Sequence, residues 1–103
     1  MKISIKLNKD EAGTLVVICK VHRIQPLNRH QRVQLSIMQE VVTKIQRFYL
    51  GFNDDKKPRK INLKIYEADM LELYFANILG YITNDYSNNV IRKVIAEINQ
   101  QLV

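Results

Sequence analysis

Apolar and polar residues alternate in two six-residue segments of the chain, at its start and again after residue 59. Both segments read Lys-apolar-polar-apolar-Lys-apolar, and their apolar residues are Ile3, Ile5, Leu7, Ile61, Leu63 and Ile65. A period of two is typical of a strand with one buried side. The pattern therefore predicts two strands whose apolar sides face a core and whose opposite sides carry Lys2, Lys6, Lys60 and Lys64.

The two strand segments open a longer internal similarity. Lys60 follows Lys2 by 58 residues, and at the same offset Glu11 aligns with Asp69 and Leu15 with Leu73. Self-similarity at a fixed offset indicates repeated structural units. We predict two strand-helix-helix units, the first over about 1–51 and the second over about 60–103, joined by a polar connector at 52–59.

The segment after the first strand is compatible with two structures. Asn8 and Glu11 have the spacing of a helix capping box, which favours a helix over 9–23. The β-branched run 14–21 also fits the return strand of a hairpin. Residues 67–75, the matching part of the second unit, are better helix formers with acidic residues in the first turn. We therefore predict a helix here, with the hairpin as the alternative.

Two further segments have the apolar period of an amphipathic helix. The first covers 29–50, and its predicted inward residues are Val33, Ile37, Met38, Val41, Val42, Ile45, Phe48 and Tyr49. The second runs from about Asn88 to the end of the chain, with Val90, Ile91, Val94, Ile95, Ile98 and Leu102 facing inward. Between them these segments supply the helices that the apolar side of a small sheet needs as cover.

These elements predict one α+β domain over 1–103. Its architecture is a two-layer sandwich with pseudo-twofold symmetry, in which three or four helices cover one face of a two-stranded sheet. Such a sheet has two open edges, which favours a homodimer that continues the sheet, although lysines near an edge oppose pairing. The sequence has no signal-peptide pattern and no apolar run long enough to cross a bilayer, so we expect no membrane contact and a cytoplasmic location.

The positive charge is concentrated in the first half of the chain. The formal net charge is +6, and residues 1–50 carry nine lysines or arginines against three acidic residues. On the helix predicted over 29–50, Arg29, Arg32, Lys44 and Arg47 share the solvent face with Glu40. Such a face either binds an acidic partner, such as a phosphate backbone, or simply keeps the protein soluble.

The sequence offers few groups for catalysis or metal binding. The three glycines are scattered, which excludes a phosphate-binding loop of the usual kind. The soft-metal candidates are Cys19, His22 and His30, one short of a tetrahedral set. A hard cation would need Glu67, Asp69, Glu72 and Glu97 to converge. Neither set has a standard ligand spacing, so we predict no enzyme activity, no cofactor and no metal.

Our first hypothesis is accordingly a non-enzymatic interaction module, homodimeric, that offers a basic helix face or its lysine-lined sheet to a partner. That partner is an acidic protein or nucleic acid. The alternative is a nucleic-acid-binding protein in which Arg29, Arg32, Lys44 and Arg47 contact phosphates. The third is a small metal-dependent enzyme that uses the four carboxylates.

Overall fold

The computed structural model describes residues 2–21, 29–52 and 57–102, apart from the side chains of Val21, His30 and Gln31. The elements follow the chain as β1 (Lys2–Leu7), α1 (Lys9–Val21), α2 (Arg29–Leu50), β2 (Arg59–Lys64), α3 (Ile65–Ile78), a 3-10 turn (Leu79–Tyr81) and α4 (Asp85–Leu102). Over these ranges the fold is α+β, with one two-stranded sheet and four α-helices, as predicted, and the two strands run antiparallel. The pseudo-twofold symmetry of two repeated units stays a prediction. The helix predicted after the first strand is confirmed as α1, and the hairpin alternative for 14–21 is wrong.

The sheet separates an apolar side from a charged side. Ile3 lies opposite Leu63 and Ile5 lies opposite Ile61, and all four side chains are buried. The residues that alternate with them point the other way, and all but the half-buried Ser4 are exposed. The alternation in the sequence therefore corresponds to the two faces of the folded sheet.

The core lies between the apolar side of the sheet and the four helices. Both α1 and α3 pack against α2 and α4. The largest fully buried apolar side chains are Phe75, Ile3, Ile5, Leu7, Leu15, Ile45, Leu63, Leu71, Ile91, Ile98 and Val41. Burying a side chain of this size contributes about 1.5–3 kcal/mol, which fixes the orientation of each helix. Among the described helices, none combines the length and apolar composition that a membrane-spanning segment needs.

A glutamate closes the first turn of both α1 and α3. Glu11 Oε1 accepts a hydrogen bond from the backbone N–H of Asn8 at 2.9 Å, and Asn8 Oδ1 accepts one from the N–H of Glu11 at 2.8 Å. This is the reciprocal capping box that the sequence predicts. In α3, Glu67 Oε1 accepts from the N–H of Lys64 at 2.8 Å. Glu67 is therefore the structural counterpart of Glu11, whereas the sequence offset of 58 residues aligns Glu11 with Asp69.

The second strand ends one residue earlier than predicted because α3 begins directly after it, and it also begins one residue earlier, at Arg59. Ile65, expected to complete the alternating pattern, is the first residue of α3 and is 44% exposed. The bond from the Lys64 N–H to Glu67 starts the helix at that point. Leu73, aligned with the buried Leu15 by the sequence offset, is also exposed. The sequence alignment of the two units is thus out of register in their first helices.

The two long helices match their predictions closely, with differences at the N-terminal turns. Val33 of α2 is 56% exposed rather than inward-facing. The last helix begins at Asp85, three residues before the predicted start, because Asn84 Oδ1 accepts from the N–H of Ser87 at 3.1 Å and caps it. Of its predicted inward residues, Val90, Ile91, Val94 and Ile98 are buried.

The outer edge of β1 is closed by α4. Gln101 Oε1 accepts from the N–H of Ser4 at 2.9 Å, and Gln101 Nε2 donates to the Ser4 carbonyl at 2.7 Å. Glu97 Oε2 accepts from the N–H of Lys6 at 2.9 Å. On β2, the described residues provide no equivalent bonds to the outward backbone groups of Lys60 and Asn62. The prediction of two open edges is therefore wrong for β1 and applies to β2 alone.

Candidate functional site

The outward side of the sheet carries four lysines and no acidic residue. We call it the lysine face, and it consists of Lys2, Ser4, Lys6, Lys60, Asn62 and Lys64. The register places Lys2 opposite Lys64 and Lys6 opposite Lys60, with Ser4 opposite Asn62 between the two pairs. Antiparallel pairing thus brings together charges that lie about sixty residues apart in the sequence.

The lysines of each pair are close neighbours. Both backbone groups of Ser4 bond to Gln101 rather than to β2, so Ser4 and Asn62 form a non-hydrogen-bonded pair. Pair types alternate along an antiparallel ladder, so both lysine pairs are of this type, with Cα atoms about 4.5 Å apart. Like charges directly opposite each other destabilise a sheet. The face therefore opposes folding of the chain to a small extent when nothing is bound to it.

Acidic side chains do not neutralise this charge within the part of the chain that the structure describes. The ion pairs there join Lys44 to Glu67 and Lys93 to Glu11. Lys64 has an aromatic neighbour instead, because its Nζ lies 3.5 Å from the Tyr66 hydroxyl and 5.7 Å from the ring centre. None of the lysines of this face therefore forms an ion pair among the described residues. Two carboxylates lie nearby, because Glu67 interacts with the charge of Lys64 and Glu97 accepts from the Lys6 backbone N–H.

The centre of the lysine face is a hydrogen-bonded polar pair. Ser4 Oγ donates to Asn62 Oδ1 at 2.7 Å. This bond directs the amide oxygen of Asn62 toward Ser4 and leaves the two N–H donors of Nδ2 for other partners. Together with four ammonium groups, these donors give a surface suited to a ligand rich in acceptor oxygens.

The basic residues predicted as contacts on α2 do not form a compact group. Arg29, Arg32 and Arg47 are exposed, but Arg29 and Arg47 are separated by five helical turns, or roughly 27 Å at 1.5 Å per residue. Glu40 is exposed on the same stripe between them. The arginines are accessible, yet the structure spreads them along the helix and places an acidic residue among them.

Lys44, the fourth predicted contact on α2, is partly exposed but is held in an ion pair with a buried side chain. Its Nζ lies 2.6 Å from Oε1 of Glu67, whose side chain is 1% exposed. Burial opposes ionisation of this carboxyl, but the hydrogen bonds from Lys44 and from the Lys64 N–H, with the charges of both lysines, outweigh it and lower the pKa of Glu67. Lys44 is thus the counterion of a buried carboxylate.

The groups considered for metal binding or catalysis are dispersed. Glu67 bonds to Lys44 and Glu97 to the Lys6 backbone, while Asp69 points to solvent. The described residues contain no group of three or more side chains able to hold a metal ion. Burial raises the pKa of the Cys19 thiol to about 12, which disfavours the nucleophilic thiolate. His22 and the side chain of His30 lie outside the described residues.

Comparison with protein-family models, with curated proteins and with solved structures gives no significant match to this chain. A functional proposal therefore depends on the site geometry alone.

The sequence located the lysines of the sheet but could not reveal how they are arranged. Period-two alternation placed Lys2, Lys6, Lys60 and Lys64 on one side of two strands. The pairing of those strands, and the bond between Ser4 and Asn62, depend on an antiparallel register that no local pattern specifies. The only sequence signal for the opposed pairs was the equal spacing of the lysines in the two segments, because one antiparallel register places equally spaced lysines opposite each other.

Proposed function

We propose that this protein is a small nucleic-acid-binding module and that the lysine face holds the phosphate backbone. One observation carries the proposal: two directly opposed lysine pairs that form no ion pair with an acidic side chain among the described residues. Each like-charged cross-strand pair opposes folding by a few tenths of a kcal/mol, up to about 1 kcal/mol. The same four positive charges attract a polyanion, and a bound polyanion would relieve the repulsion between the lysines.

The dimensions of the lysine face support a phosphate backbone as the ligand. Lys2 and Lys6 are four residues apart on one strand, so the two lysine pairs are roughly 14 Å apart at about 3.4 Å per residue. Duplex DNA has about one phosphate per 3.4 Å of axis on each strand, so roughly four phosphates of one strand fall within that length. Each lysine could therefore contact a different phosphate.

The proposal keeps the non-enzymatic interaction module expected from the sequence. Of the two contact surfaces expected for it, the proposal takes the lysine-lined sheet and not the basic face of α2. Lys44 is engaged by Glu67, and the arginines of α2 are spread over five turns. It also favours a monomeric binding unit over the expected homodimer, because α4 closes one sheet edge. Pairing through β2 would bring Lys60 and Lys64 beside the lysines of a second copy.

The test is the salt dependence of duplex DNA binding, measured by fluorescence anisotropy. If four phosphates are neutralised, the slope of log affinity against log salt is about −3.6, at about 0.9 per phosphate. Replacing Lys2, Lys6, Lys60 and Lys64 by Gln should abolish this binding. The matched control replaces Arg29, Arg32 and Arg47 by Gln and should keep most of the slope. The proposal fails if the lysine variant binds like the wild type, or if the α2 variant is the one that loses binding.

A further inference from the structure

We infer that Asn62, at the centre of the lysine face, binds a backbone phosphate through its amide N–H groups, so that the protein holds nucleic acid without reading its sequence. The inference rests on the proposed function and specifies the ligand group and the manner of its recognition. Its basis is the bond from Ser4 Oγ to Asn62 Oδ1 at 2.7 Å and the position of this pair between two lysine pairs.

The hydrogen bond within the central pair disfavours base recognition. An asparagine reads adenine by accepting from N6 through its amide oxygen and donating to N7 through its amide nitrogen. In this protein the amide oxygen of Asn62 faces Ser4 and accepts its hydroxyl hydrogen. The outward amide therefore offers donors, which suit the acceptor oxygens of a phosphate.

Side-chain length supports the same ligand. Asn62 and Ser4 are short, and longer lysines stand on both sides of them along each strand. The middle of the face is therefore recessed between two groups of ammonium ions. A protruding phosphate fits such a recess. Bases are out of reach, because the floor of the major groove lies about 8.5 Å deep and lysines bound to the flanking phosphates would hold the short central side chains above it.

The residue types of the lysine face also favour a duplex over a single strand. Sheets that bind single-stranded nucleic acid stack the bases on exposed aromatic side chains. All six residues of the lysine face are Lys, Ser or Asn. The Tyr66 ring at its margin lies next to Lys64 Nζ, 5.7 Å from the ring centre, so the face lacks the row of rings on which successive bases stack. The phosphates of a paired duplex are accessible without unstacking.

The experiment compares two duplexes of equal length, one A·T-rich and one G·C-rich, with inorganic polyphosphate as a third probe. The variants are Asn62→Ala, Asn62→Asp and Ser4→Ala, each checked for folding by circular dichroism. We expect the wild type to bind both duplexes with similar affinity. Asn62→Ala should weaken both by the same factor, roughly ten- to hundredfold for one lost hydrogen bond to a charged group, with the salt slope unchanged. Asn62→Asp should weaken both further, because a carboxylate repels the phosphate.

Different outcomes separate this inference from the proposed function. If Asn62→Ala changes the affinity for one duplex only, the residue reads bases and the inference is wrong. If it changes neither while the lysine variants abolish binding, the amide is not at the contact and the inference is again wrong, although the proposed function stands. If polyphosphate binds more tightly than either duplex and depends on Asn62, the phosphate site is supported and nucleic acid as its ligand is overturned.

Discussion

The buried ion pair between Lys44 and Glu67 predicts an asymmetric response to mutation. Replacing Lys44 by Met leaves a carboxylate that is 1% exposed without its counterion. Stranding a buried charge in this way costs about 3 kcal/mol or more. Replacing Glu67 by Gln instead leaves Lys44, whose side chain is 39% exposed and can reach water. The Gln side chain can still accept from the Lys64 N–H, so we expect a loss of only about 1 kcal/mol.

The cost of Lys44→Met should also depend on pH. The folded-state pKa of Glu67 in the wild type is below the ordinary value of 4.5, so the pair stabilises the fold above that pH and its contribution is lost as the pH falls. Without Lys44, burial raises the pKa of Glu67. The carboxyl then protonates on mild acidification and no longer needs a counterion. The penalty of Lys44→Met should therefore be largest at neutral pH and shrink below about pH 4.5.

Urea unfolding of both variants and the wild type, at neutral pH and in mild acid, measures these differences as shifts of the midpoint. Glu11→Gln is the matched control, because Glu11 caps α1 and pairs with Lys93 but is less buried than Glu67. The reasoning is refuted if Glu67→Gln costs as much as Lys44→Met, or if the cost of Lys44→Met is the same at both pH values.

Three further changes have expected results. Lys60→Glu should stabilise the fold by about 0.5 kcal/mol, measured by urea unfolding, because it turns a repulsive pair with Lys6 into an attractive one, and it should weaken DNA binding. Gln101→Ala should destabilise the fold by roughly 1–2 kcal/mol and speed hydrogen exchange at the Ser4 amide, since both side-chain hydrogen bonds to the Ser4 backbone are lost. Because burial raises the pKa of the Cys19 thiol to about 12, Cys19 should react with iodoacetamide only through the small population of molecules that are transiently open.

Each of these results has a clear contrary outcome. A loss of stability in Lys60→Glu would mean that the lysines do not repel each other across the sheet. An unchanged exchange rate in Gln101→Ala would mean that α4 does not protect the edge of β1. Rapid alkylation of Cys19 in the native protein would contradict its place in the core.

Local sequence patterns predict the strands and helices of this fold, but they do not predict where β2 ends and α3 begins. The period of two identified both strands, and the apolar period of α2 gave its limits to the residue. Ile65 continued the alternating pattern and was therefore predicted to be in the strand. The structure places it in a helix because Glu67 accepts from the Lys64 N–H, and that bond starts the helix one residue early. At Ile65 the alternating pattern of the strand overlaps the first turn of the helix, and the Glu67 hydrogen bond places the residue in the helix.

The candidate site was only partly predictable, since its chemistry depends on contacts between distant segments. The sequence indicated which side of each strand carries lysines. It also suggested Lys44 as a ligand contact, because its position on the helix wheel is polar. Its counterion Glu67 is 23 residues away on another helix, and nothing local marks that pairing. Only this long-range pairing shows that Lys44 has a structural role, unlike the lysines of the sheet that are proposed to bind a ligand.

Chemical-shift mapping by NMR during titration with duplex DNA tests the central claim most directly. We predict that the amide signals of residues 2–6 and 60–64, together with the Asn62 side-chain amide, shift as the duplex is added, while those of Arg29, Arg32 and Arg47 on α2 stay largely unchanged. Shifts confined to α2, with the sheet signals unmoved, would contradict the account.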